Sequence, residues 1–158
     1  MPSDNSSDIP PAERSADVGS PDVPTMRQIR DLFDREEPLV EAAEFDSVLD
    51  PLEVQIRFAD GINAANWCRL DVTWYKSGAY RFHYVDEYDV NWRFDNHPNP
   101  HSPKKHFHQP PDAPVDSAEC SCIEVEEPQL VARAILKLWR RAYETGDQSS
   151  LNTATDPP

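Results

Sequence analysis

Residues 91–111 read NWRFDNHPNPHSPKKHFHQPP. From His97 to Pro111 the chain carries four histidines, two lysines and five prolines. Imidazole is the side chain that changes charge near neutral pH, so His97, His101, His106 and His108 are the candidates for proton transfer. Three kinds of chemistry compete for this segment. The first is metal ligation, since imidazoles together with Asp95 are zinc-type donors. Against it, Pro98, Pro100 and Pro103 hold the chain extended, Lys104 and Lys105 repel a divalent cation, and no standard ligand spacing is met. No metal and no cofactor is therefore expected. The second is a solvated loop without chemistry. The third is metal-free acid–base cleavage of RNA. That reaction needs a base for the 2′-hydroxyl proton, an acid for the leaving 5′-oxygen and cations around the phosphorane. Histidines suit the first two roles, and Lys104 and Lys105 suit the last.

Such groups need a scaffold, and the residues before them alternate with a period of two. Val54, Ile56 and Phe58 share one parity, as do Cys68, Leu70, Val72 and Trp74; Tyr80, Phe82 and Tyr84; and Val90, Trp92, Phe94 and Asn96. Short turns separate these runs, which predicts an antiparallel meander with one apolar face. The opposite parity receives Arg57, Arg69, Asp71, Arg81, His83, Arg93 and Asp95. One arginine comes from each predicted strand. An open charged face is the ordinary fate of an antiparallel sheet. Four guanidinium groups on one face beside the histidines also match a phosphate-binding surface. Asp95 and Asn96, at a strand end, are expected to fix the following loop by hydrogen bonds to its backbone. CSCIEV at 120–125 predicts one more strand, with Cys120 and Cys122 on one face.

Helical periodicity flanks the strands. Thr25 and Gln28 form a capping box ahead of Met26, Ile29, Leu32 and Phe33, and a second helical piece is expected from Pro38 to about Phe45. Pro128 suits a first helical position and Gly146 a stop. Between them, Val131, Ala134, Ile135, Leu138 and Ala142 form an apolar stripe. The expected fold is α+β: an N-terminal helical segment, a four- to five-stranded antiparallel sheet, and a C-terminal helix packed on one face. Residues 1–24 are acidic, rich in Pro and Ser, and expected to be a disordered tail. Residues 25–146 form a single domain, and 147–158 a second tail.

The net charge is −14 and only four lysines occur. Residues 1–52 hold four basic and thirteen acidic side chains, and 112–158 hold four and nine; residues 53–111 balance at seven and seven. The neutral middle is the candidate working surface. Acidity with few lysines fits a halophilic host, whose proteins use carboxylate surfaces to stay soluble. The N-terminus has no apolar run of a signal peptide and no segment is long and apolar enough for a membrane span. Three cysteines, an odd number, fit reduced thiols. A cytoplasmic protein with no membrane partner is expected.

The stretch YRFHYVDEYDVNWRFDNHPNPHSPKKHFHQPPD, residues 80–112, resembles the TumE family of toxins from prokaryotic toxin–antitoxin pairs. Tyr80, Phe82 and Tyr84 match its aromatic strand; Arg93, Asp95, Asn96, His97 and Pro98 match its Arg–aromatic–Asp–Asn–His–Pro run. Residues 103–108, PKKHFH, stand where the family has a Pro-His-His-Lys-His-like element, with lysines in place of histidines. The likeness covers roughly residues 50–142. It implies an RNA-cleaving toxin paired with a small DNA-binding antitoxin. On this reading His97, His101, His106 and His108 transfer protons, and Arg57, Arg69, Arg81, His83, Arg93, Lys104 and Lys105 hold RNA phosphates. A non-catalytic nucleic-acid- or protein-binding module is the alternative, and a metal-dependent enzyme using the histidines is the third.

Overall fold

The computed structural model describes residues 19–97 and 105–153. His101, Lys104 and the prolines at 98, 100 and 103 lie outside the described residues. The fold is α+β: α1 (Val23–Glu36) and α2 (Pro128–Thr145) with an antiparallel sheet of seven strands. The strands are β1 (Val40–Phe45), β2 (Val54–Phe58), β3 (Cys68–Trp74), β4 (Tyr80–Asp86), β5 (Asn91–Asn96), β6 (Lys105–His108) and β7 (Glu119–Cys120). Their spatial order is their chain order, so the sheet is a continuous meander.

The period-two pattern sets its sidedness. β3 alternates buried and half-buried residues along its length, and Cys68, Leu70, Val72 and Trp74 are the buried set. The aligned residues of β2, β4 and β5 join them beneath the helices. Met26, Ile29, Leu32 and Phe33 cover the sheet from α1, and Val131, Ile135, Leu138 and Trp139 cover it from α2. Phe58 joins the two layers: Phe33 meets it edge-on at 6.5 Å and the Trp139 ring lies 4.5 Å away. Glu37, buried just past α1, pairs with Arg140 of α2 and so ties the helices together.

Several sequence expectations change. The sheet has seven strands rather than four or five, because β1 and β6 both come from segments read otherwise. The piece expected as helix from Pro38 to Phe45 is a turn followed by strand β1, Val40–Phe45. Its Ala and Glu favour helix, but pairing with β2 outweighs that local preference. The capping box at Thr25 is not used. α1 begins three residues earlier than that box implies, and Asp22 caps it by accepting from the Thr25 amide at 3.2 Å. The chain before residue 25 also joins the domain: Pro21 bridges Tyr75 and the Asp22 amide donates to the Trp74 carbonyl at 2.8 Å. At the other end the structure continues past Gly146. Gln148–Ser150 form a 3₁₀ turn and Leu151 is fully buried. The strand expected at 120–125 shortens to Glu119–Cys120. α2 starts at Pro128 and ends at Gly146 in the left-handed conformation (φ 73°), as its sequence predicts.

Candidate active site on the open face of the sheet

The side of the sheet turned away from the helices carries the candidate residues. Register alone assembles it. Thr73, Arg81, Asp95, His106 and Cys120 form one cross-strand row, and Asp71, His83, Arg93 and His108 form the next. β6 completes both rows. Part of what reads as a proline-stiffened loop is therefore a strand, and its period of two turns His106 and His108 toward Asp95 while Phe107 enters the core.

Asp95 is the hub. Its carboxylate is fully buried. Arg93 Nε donates to Oδ2 at 2.9 Å and Arg81 Nε to Oδ1 at 3.3 Å. Three imidazole nitrogens also face Oδ2: His108 Nε2 at 3.5 Å, His106 Nε2 at 3.6 Å and His97 Nε2 at 4.0 Å. Burial on its own would raise the pKa of this carboxyl. The hydrogen bonds of His106 and His108 and the charges of Arg81 and Arg93 outweigh burial and hold it well below the usual carboxylate range.

The histidine rings stand in a row. His97 meets His106 edge-on at 4.8 Å between centroids, and His106 meets His108 edge-on at 5.0 Å. Only His97 of the three has substantial exposure, at 34%; His106 and His108 are buried. His108 is engaged through both ring nitrogens. Its Nδ1 lies 2.7 Å from the Pro114 carbonyl, so it donates there. Its Nε2 faces both Arg93 Nη2 at 3.4 Å and Asp95 Oδ2 at 3.5 Å.

The other expected residues fall in different places. Arg81 is half-exposed beside Asp95 and Arg93 is mostly covered. His83 shares the second row and donates from Nε2 to Asn91 Oδ1 at 3.0 Å. Arg69 makes a two-pronged pair with Asp71 at 2.7 and 3.1 Å. Arg57 is exposed on β2 and lies over the Trp67 ring. Three strand spacings separate β2 from β5, roughly 14 Å, so Arg57 belongs to the same face but not to the cluster. Lys105 is on the other side. Its Nζ donates to the carbonyls of Glu124 and Val125 at 3.1 and 2.9 Å, away from the histidines. Adjacent residues of a strand point to opposite faces, which separates Lys105 from His106. Asn96 likewise points to the helix side and donates to the Gly78 carbonyl at 3.2 Å, holding the turn before β4 rather than the segment after β5. Asp95, expected only to steady the loop, organises the cluster; its parity with Arg81 and Arg93 was the available signal. Pro114, whose carbonyl orients His108, left no signal in the sequence.

Among His, Cys, Asp and Glu of the described residues, Asp95, His106 and His108 bring their donor atoms within 4.8 Å of one another. The cluster can therefore shuttle protons or gather around a cation. No helix among the described residues is long and apolar enough to cross a membrane.

The family model described as Toxin TumE matches residues 29–145, most of the chain. No curated protein and no solved structure gives a significant match.

Proposed function

The chain belongs to the TumE toxin family, toxins of toxin–antitoxin systems, and from that premise we propose that it is an endoribonuclease that cleaves RNA by metal-free histidine chemistry. The observation that carries this reading is the row of three imidazoles converging on buried Asp95 on an arginine-bearing sheet face. His97 is half-exposed and meets the substrate, and His106 behind it is the second proton carrier. Asp95 holds the rings and stabilises the imidazolium form, as a buried carboxylate does beside a catalytic histidine. Arg81, half-exposed next to Asp95, contacts the phosphate, and Arg57 extends the cationic track across the face. The acid and base roles divide between the two histidines. The partner in this reading is a small DNA-binding antitoxin.

Purified full-length protein should cut RNA to leave 2′,3′-cyclic phosphate ends, with a bell-shaped rate against pH from two titrating imidazoles. His97→Ala and His106→Ala should each lower the rate about 10²–10⁴-fold while RNA binding persists. Wild-type rates in both variants would overturn the assignment. Burial of His106 and His108 favours one second reading, a non-catalytic module that binds nucleic acid or protein through its arginine face. RNA bound by the wild type and left intact would establish it.

A further inference from the structure

Three imidazole nitrogens converge on one oxygen of Asp95. The His108, His106 and His97 nitrogens stand 3.5, 3.6 and 4.0 Å from Oδ2. Donors sharing one tetrahedral ion at zinc–ligand lengths of about 2.0–2.1 Å would be about 3.3–3.4 Å apart. The Asp95 separations from His106 and His108 lie just above that value, and the donor atoms of the three all lie within 4.8 Å of one another, so an inward movement of the rings would close them on an ion. The donor set, three imidazoles and a carboxylate, is of zinc type. The orientation of His108 also fits. Metal-binding histidines characteristically donate their other ring N–H to a carbonyl or carboxylate, and His108 does so to Pro114 at 2.7 Å. Its Nε2 is left facing the cluster.

We infer that Asp95, His106 and His108, with His97 as the fourth donor, form a binding site for a zinc-class transition-metal ion, and that the bound ion silences the proton-transfer histidines. The silencing half rests on the ribonuclease reading; the binding half does not. Inhibition follows from chemistry. A lone pair given to a metal cannot accept a proton, and four protein donors complete a tetrahedral shell with no open position for water, as in structural rather than catalytic sites. Arg93 competes. Its Nη2 lies 3.4 Å from His108 Nε2 and its Nε bonds Asp95 Oδ2 at 2.9 Å. The guanidinium must swing out for the ion to enter, and its partial exposure gives it a way. Binding is therefore reversible, set by competition between a fixed cation and a mobile one.

The test uses untagged full-length protein, stripped with a chelator and titrated with Zn²⁺ and Co²⁺. One ion should bind per chain, and Co²⁺ should give the intense visible bands of a tetrahedral site. His108→Gln should weaken Zn²⁺ binding about 100-fold, at the upper end of losses seen even for outer-shell changes. Arg93→Met, which keeps every donor and removes the competitor, should tighten it. That second variant keeps the test decisive if His108→Gln does not fold. No Zn²⁺ binding, an octahedral Co²⁺ spectrum, or affinity unchanged in both variants would overturn the site. In the activity arm, one equivalent of Zn²⁺ should stop RNA cleavage and a chelator should restore it. Stimulation by Zn²⁺ would overturn the silencing role and make the protein a metal-dependent enzyme. Absence of any cleavage, with Zn²⁺ bound as described, would sink the ribonuclease reading and leave the metal site standing.

Discussion

Asp95 is one carboxylate with five cationic or potentially cationic neighbours: two arginines and three histidines. Its pKa direction makes a stability prediction. A carboxyl whose folded pKa lies below its unfolded value stabilises the fold fully above the unfolded value, about 3.9 for Asp. That contribution disappears as the pH falls toward the folded value. Wild-type protein should therefore lose stability steeply below about pH 4. Asp95→Asn should be destabilised by about 3 kcal/mol at pH 7, the low end for breaking a buried pair because both arginines have some access to water. Its stability should change less between pH 5 and pH 3 than that of the wild type. Denaturant midpoints across that range check it, and parallel pH profiles for the two proteins would contradict it. Much of this cluster was legible in the sequence. Period-two parity places Arg81, Arg93 and Asp95 on one face. The opposite fates of Lys105 and His106 follow from the same rule once β6 is known to be a strand, but proline spacing gave that segment the look of a loop.

Elements were legible where local signals and tertiary demands agree. α2 has Pro128 at its start, an apolar stripe and Gly146 at its end, and the structure realises all three. β2 to β5 show the same agreement, their apolar parity being the buried one. β1 was hidden because Ala42, Ala43 and Glu44 favour helix, and only the partner strand β2 decides otherwise. A pairing partner does not announce itself in a single segment. Gly146 offers a test of a signal that was visible. Its φ of 73° suits glycine, and a Cβ there would stand 2.7 Å from Asn63 Oδ1. Gly146→Ala should destabilise by more than about 1 kcal/mol, since alanine at positive φ is strained even without a clash. Thermal unfolding measures this, and an unchanged midpoint would show that the end of α2 relaxes freely.

The molecule as a whole is larger than its sequence boundaries suggested. Leu151 is fully buried, the Trp92 indole donates to Gln148 at 3.1 Å, and the Cys122 amide donates to Asn152 at 2.7 Å. These contacts clamp the segment after α2 onto the strands below it. The 147–158 stretch looked like a tail because it is polar, and one leucine carries no periodicity. Ending the chain at Gly146, or replacing Leu151 with Ala, should cost about 2–5 kcal/mol, as for other buried leucines. Chemical denaturation of both variants checks it, and wild-type midpoints would return the segment to the status of a tail.

Charge sets the remaining behaviour of the whole chain. The net charge of −14 is spread over an acidic surface, and like charges oppose compaction. Salt acts on two opposing sets of interactions. It screens the repulsion among exposed carboxylates, which stabilises the fold. It also weakens ion pairs such as Arg133–Glu36 between the helices. Screening at about 3 Å in 1 M salt, against about 10 Å in 0.1 M, reaches exposed groups first. Arg133–Glu36 is exposed and so worth little, about 0–1 kcal/mol. The pairs that matter to the fold, Glu37 with Arg140 and Asp95 with its arginines, have buried carboxylates and are screened much less. Repulsion is therefore the larger salt-sensitive quantity. Raising KCl from 0.1 to 1 M should raise the melting midpoint by about 5 °C, on the order of 1–2 kcal/mol for a domain of this size. RNA binding over the same range should weaken by counterion release, so stability and binding should respond to salt in opposite directions. A midpoint that falls as salt is added would mean that ion pairs, rather than surface repulsion, govern the electrostatics of the fold.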